Sequence, residues 1–300
     1  MKTRMILSAF AALAILSSCS SDSIRNEQPL AQDGDARIPI MLSVGSEDTR
    51  ASQGLQNTQF KKGETLDVQI TSADNLTSYD QLTYFAADNA GKLQPLQGVY
   101  PYYPTNGANV NIRAIYPTGN MGATTFSVTK VNQSSSEAYM ASDLMFAKVT
   151  DVEPSTSAVL LTFQHKMAKI CVNLTGEGGV DLSNSTVKIL GVKTETAFNP
   201  QTGEVTIEGA TGTASDIKMT NDGSQGCAAI IVPQTKSSGY LLEIVLQNND
   251  VLHYKTVQDI IFEPGKVYTF NVTVIESNIS VVASVAPWET TTDVQEDLKL

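Results

Sequence analysis

Two histidines, His165 and His253, and three cysteines, Cys19, Cys171 and Cys227, are the scarce reactive side chains of this 300-residue chain. Their spacing supports no catalytic centre: there is no H-E-x-x-H pair for zinc, no G-x-S-x-G turn for a nucleophilic serine, no glycine-rich phosphate loop and no paired-cysteine zinc pattern. His165 lies in Phe163-Gln164-His165-Lys166-Met167-Ala168-Lys169 and reads as a buried, hydrogen-bonded imidazole at a strand end. His253, in Val251-Leu252-His253-Tyr254, reads as an ordinary strand position. Gly176-Glu177-Gly178-Gly179 is a turn with no helix behind it to hold a phosphate. Asp143 and the scattered acidic loop residues lack the spacing of a calcium loop. No catalytic residue, metal site or cofactor is expected, and the chain does not read as an enzyme.

Cys19 carries the one piece of chemistry the spacing does support. Lys2 and Arg4 precede an apolar run from Met5 to Leu16, and Leu16-Ser17-Ser18-Cys19 closes it with small residues before the cysteine. That is the pattern of a bacterial lipoprotein signal, with residues 1–18 removed and Cys19 acylated. An ordinary signal peptide with an incidental cysteine is the alternative. The run is shorter than the roughly 20 apolar residues of a spanning helix. In an oxidising envelope Cys171 and Cys227 are left as a possible pair, with two unpaired small side chains as the other reading. Strand parity puts Cys171 with Lys169 and Asn173, on what reads as the wetter face.

The formal net charge is −11, and losing Lys2 and Arg4 with the leader takes it to −13. Nucleic acid demands clustered Lys and Arg, so an acidic chain with no basic patch is not expected to bind it. The acidity reads as a solvated surface. About 280 mature residues exceed one typical core and suggest two domains.

The segment from Ser20 to about Arg37 is polar and acidic and reads as a tether. Beyond it the hydrophobic pattern alternates with period two: Ile38, Ile40, Leu42 and Val44; Leu66, Val68 and Ile70; Val110, Ile112 and Ala114; Ile170, Val172 and Leu174; Leu242, Ile244 and Leu246; Val267 to Val274; Ile279 to Val285. Turns such as Asn106-Gly107, Asn221-Asp222-Gly223 and Pro264-Gly265-Lys266 punctuate it. No helical period is long enough for a crossover. The expectation is all-β, an antiparallel β-sandwich twice over. Pro39 lacks a backbone donor, which confines the first strand to an edge or to the first position of a sheet.

Several segments together carry a resemblance. Tyr102-Tyr103-Pro104, Val110-Asn111-Ile112-Arg113-Ala114-Ile115-Tyr116-Pro117, Ser142-Asp143-Leu144-Met145-Phe146-Ala147 and Leu160 to Ile170 resemble the N-terminal domain of the Bacteroidales fimbrillin family and its passage into the second domain. Ile230 to Thr235, Phe262 to Phe270 and Pro287-Trp288 resemble the C-terminal domain. The resemblance implies a type V pilus subunit with two transthyretin-like, Greek-key β-sandwich domains in tandem, residues 51–165 and 166–300. It implies an outer membrane lipoprotein precursor that becomes part of a surface fimbrium serving adhesion. It also implies that an arginine-specific or trypsin-like protease removes the lipidated leader and first strand, residues 19–50, leaving a groove for a neighbour's strand.

Among Arg25, Arg37 and Arg50, only Arg50 lies beyond the apolar strand, so cleavage is expected between Arg50 and Ala51. The removable strand is then Ile38, Ile40, Leu42 and Val44. Two segments compete as the incoming strand: Ile279, Val281, Ala283 and Val285, or the tail after Glu289 with Val294, Leu298 and Leu300. Trp288 reads as a core plug. The expected partners are other fimbrial subunits, the protease, the outer membrane and a host or bacterial surface receptor. A tip adhesin or a non-polymerising glycan-binding lipoprotein is the alternative, with Tyr100, Tyr102, Tyr103 and Tyr116 as stacking surfaces or as core.

Overall fold

Alternation of apolar and polar residues, broken by glycine and asparagine turns, becomes strand after strand in the computed structural model. It describes residues 37–45, 60–88, 90–128, 131–221, 226–275, 278–288 and 296–297. The first half holds β1 (Leu42–Gly45), β2 (Thr65–Ser72), β3 (Ser78–Ala86), β4 (Leu93–Pro95), β5 (Val110–Tyr116), β6 (Thr125–Ser127), β7 (Met145–Val152), β8 (Val159–Thr162) and β9 (Gln164–His165). Between β6 and β7 lies a single helical turn, α1 (Ser136–Met140), whose first free amide, Ala138 N–H, donates to the Ser135 hydroxyl at 3.2 Å. The second half holds β10 (Ala168–Glu177), β11 (Thr186–Val192), β12 (Glu195–Ala197), β13 (Ala210–Thr211), β14 (Ser215–Lys218), β15 (Thr220–Asn221) and β16 (Gly226–Ile231). It ends with β17 (Gln234–Lys236), β18 (Gly239–Val245), β19 (Val251–Thr256), β20 (Ile260–Phe262), β21 (Lys266–Ile275), β22 (Asn278–Pro287) and β23 (Glu296–Asp297).

The fold is all-β and layered. In the first half, the sheet β4-β3-β2-β5-β7-β9 is antiparallel throughout and faces the pair β1-β8. Leu66, Val68, Ile70, Ile112 and Ala114 from the sheet meet Ile40, Leu42 and Leu161 in one core. In the second half, β15-β16-β10-β21-β22-β23 packs on β14-β11-β18-β19 around Ile170, Val172, Ile189, Ile217, Leu242, Phe270 and Val272. Both belong to one compact unit, Ala36–Leu300.

Strand parity explains how the halves are tied. Neighbouring side chains of a strand point to opposite faces. Ala114 and Met145 therefore face the first core while Ile115 and Phe146 face the second. Pairing of β6 with β12 crosses the same junction. Arg113 adds a clasp, donating from Nε to Gln69 Oε1 at 2.7 Å and from a terminal nitrogen to the carbonyl of Pro200.

The expected all-β, largely antiparallel sandwich class holds, with two parallel pairings inside it: β10 beside β21 over nine rungs, and β1 beside β8. Pattern within a strand reveals its inward face but not its partner's direction. Cys171 is not on a wet face; it is 8 % exposed and shares the second core with Tyr139. Cys227 stands opposite Val172 while Cys171 stands opposite Ala228, so the two cysteines point to opposite faces of the sheet, away from a bridging geometry. Of the two places Pro39 allowed, the edge is not the one taken: residues 38–45 have hydrogen-bonded neighbours on both sides, β8 in their own sheet and the 91–103 segment through isolated bridges.

Candidate functional site

Those two neighbours make a slot. On one side the Ile40 amide donates to the Pro101 carbonyl at 2.8 Å, Tyr103 N–H donates to Ile38 O at 2.9 Å, and Val44 N–H donates to Gly91 O at 2.7 Å. On the other side Val159 N–H donates to Met41 O at 2.8 Å, and Leu42 to Gly45 pair in parallel with Val159 to Thr162. Even-numbered residues thus bond toward the 91–103 segment and odd-numbered ones toward β8. Pro39 takes only a single bridge, to Tyr102, before the regular strand begins. Its missing donor is accommodated at the mouth of the slot rather than at a sheet edge.

The side chains follow the same two-residue period. Ile40 is fully buried and Leu42 is 2 % exposed, while Ile38 and Val44 are half-buried against the same core. Gly91 has φ +91°, and a Cβ there would collide with the Val44 carbonyl oxygen, so only glycine lets the slot wall approach this strand. A Cβ at Gly45 would lie 2.5 Å from Leu160 Cδ1. At the other end the Arg37 guanidinium stands 4.9 Å from the Tyr102 ring centroid.

A second cluster lies at the junction of the halves. His165 Nδ1 and the Asp143 carboxylate are 2.8 Å apart, each side chain 4 % exposed. The His165 ring stacks on Trp288 with centroids 3.9 Å apart and planes 2° from parallel. Lys169 Nζ is 5.6 Å from the Trp288 centroid. Burial holds the Lys169 ammonium below its ordinary pKa, against a smaller opposing pull from Cys171 and Asp143. Burial likewise raises Glu64 and, strongly, Tyr139. This is a packing joint, and Trp288 is half-buried in it rather than fully enclosed.

His253 does more than an ordinary strand position. It stands across from Glu243, which stands across from Lys188, on three adjacent strands. Lys188 Nζ is 2.7 Å and His253 Nε2 is 3.4 Å from the Glu243 carboxylate, and the hydrogen bond from Lys188 is the main cause of the lowered Glu243 pKa. The sequence pattern missed this ladder because its members are far apart along the chain. Among the described residues no three His, Cys, Asp or Glu side chains gather as a metal site. Tyr103 and Tyr116 are core, and Tyr100 and Tyr102 are half-buried, so the core reading fits the first two rings. Cys19, Arg50, Ala51, Val294, Leu298 and Leu300 lie outside the described residues, as does the turn at Asp222-Gly223.

The profile of the fimbrillin-like family matches residues 49–288. The chain belongs to that family. Solved structures of similar fold include a candidate cell adhesion protein of Bacteroides uniformis, 21 % identical with a TM-score of 0.67, matched over 86 % of this chain and all of that one. One from Bacteroides ovatus is 19 % identical with a TM-score of 0.64 over the same shares. The tip fimbrial protein Mfa3 of Porphyromonas gingivalis, C-terminally truncated, is 6 % identical with a TM-score of 0.53 over 84 % of this chain and all of that one. No curated protein matches. In this fimbrillin-like chain the segments that carried the resemblance meet in space: Asp143, His165, Gly265 and Trp288 come together at the junction. Ile230 bonds through both its backbone groups to the buried Gln133 amide, at 2.8 and 2.7 Å.

Proposed function

We propose that the protein is a non-enzymatic structural subunit of a type V fimbria at the cell surface. It is exported as an outer membrane lipoprotein through Cys19, cut after Arg50 by an arginine-specific or trypsin-like protease, and polymerised when a neighbour's strand takes the place of residues 38–45. Its two domains are 51–165 and 166–300. Family membership supports the fimbrial role. The observation that carries the mechanism is the slot: a short N-terminal strand with backbone partners on both flanks and its apolar face in the core.

Ile40 and Leu42 alone contribute about 3 to 6 kcal/mol by burial. A domain is stable by only about 5 to 15 kcal/mol, so an emptied slot is a strong acceptor for a replacement strand. That strand must run parallel to β8, present apolar residues two apart and pass Gly91 with its backbone. Arg37 is a poor cleavage site by the same geometry, because Ile38 and Ile40 just after it are hydrogen-bonded to Tyr103 and Pro101, with Pro39 set opposite Tyr102 between them. A head-to-tail contact of this kind propagates as an open filament.

The tail is the proposed donor. Deleting residues 289–300 should leave the subunit folded and abolish self-assembly after protease treatment. If truncated, cleaved protein still forms detergent-resistant ladders at the wild-type rate, the tail is not the donor.

A further inference from the structure

β22 is the other candidate donor, and its hold on the subunit is uneven. It has ten rungs with β21 on one side but only two with β23 on the other, Ser284 with Asp297 and Val285 with Glu296. Only Ala283 along it is fully buried, and Val282 is 65 % exposed. Ile279, Val281 and Val285 pack against the second core only partly buried, so β22 is held more by its ladder with β21 than by enclosed side chains. Its face of Ile279, Val281, Ala283 and Val285 has the period an acceptor slot reads.

Trp288, the residue after β22, adds to that hold. Its backbone N–H donates to the Gly265 carbonyl at 2.8 Å, and Gly265 N–H donates to Met167 O at 2.9 Å. Gly265 has φ +67°, and a Cβ on it would lie 3.2 Å from His165 O, so this turn nests against the junction. The indole stacks on His165, which Asp143 orients, and has the Lys169 ammonium near its face. One segment, 165–169, thus holds the ring, Gly265 holds the Trp288 backbone, and Asp143 braces His165 from behind.

We propose that Trp288 is a latch: it fixes the C-terminal end of β22 in its own sheet and confines the exchangeable chain to residues beyond 288. This rests on the strand-exchange reading and adds its boundary. Trp288 and His165 act as positioning residues.

Hydrogen exchange on the full-length protein tests it. Trp288→Ala should speed exchange of the Val281 to Ala286 amides about tenfold, as befits losing one aromatic stack, with Ile170 to Leu174 in β10 unchanged. Trp288→Phe, which keeps a ring and guards against misfolding of the alanine variant, should give a smaller rise. Because Trp288 is the sole tryptophan, His165→Ala should shift the protein's emission to the red while β10 stays protected. Unchanged exchange at 281–286 in both Trp288 variants overturns the latch and leaves strand exchange standing. Assembly by the 289–300 deletion overturns the tail as donor and, with it, the boundary at Trp288, whatever the exchange result.

Discussion

Lys169 is 1 % exposed, an ammonium enclosed at the junction. Because burial lowers its pKa below 10.5, the unfolded chain binds this proton more tightly than the folded one. Its contribution to stability therefore rises with pH between the lowered value and about 10.5. Measured by denaturant titration across that range, the unfolding free energy of wild type minus Lys169→Met should climb with pH; parallel curves would contradict the assignment. Sequence parity placed Lys169 and Cys171 on one face correctly but misjudged that face as wet. Its cover includes Tyr139 and Trp288, which no local pattern connects to β10. At the slot, Leu42→Ala should cost about 2 to 5 kcal/mol, as for other enclosed leucines.

At the scale of elements, the alternating runs named β2, β5, β10, β18, β21 and β22 but not β3 or β7, and the even-numbered face of residues 38–44 is the buried one. Pairing was not legible. Parity within a strand is local, whereas β1 against β8 joins segments over a hundred residues apart and in parallel. The slot follows from that pairing, and it makes a specific prediction. Gly91→Ala should destabilise the precursor by at least about 2 kcal/mol, combining a positive-φ penalty with displacement of Val44. Gly98, at φ +72° with nothing within 4 Å of its would-be Cβ, is the control, and Gly98→Ala should cost only about 1 kcal/mol. In cleaved protein whose slot is empty, the two substitutions should cost alike. An equal cost in the intact precursor would mean that Gly91 does not set the fit of the first strand.

For the whole molecule, the proposed function asks one subunit to be anchored, then cut, then self-complementary. On the proposed mechanism, the first strand held in its slot keeps the precursor closed, and an apolar deficit opens only after cleavage. The proposed anchor is Cys19, and on that proposal Cys19→Ala should abolish acyl labelling and membrane retention, since stable attachment needs the acyl chains. The family was readable because its motifs stand in order along the chain; their meeting at the Asp143, His165, Gly265 and Trp288 joint was not, because it is a property of the tertiary structure. The measurement that bears most directly on strand exchange is the N-terminal sequence of subunits recovered from fibres assembled with an arginine-specific protease. The account predicts Ala51-Ser52-Gln53, with residues 38–45 gone from every polymerised subunit. Fibres whose subunits still carry Ile38 to Val44 would contradict it.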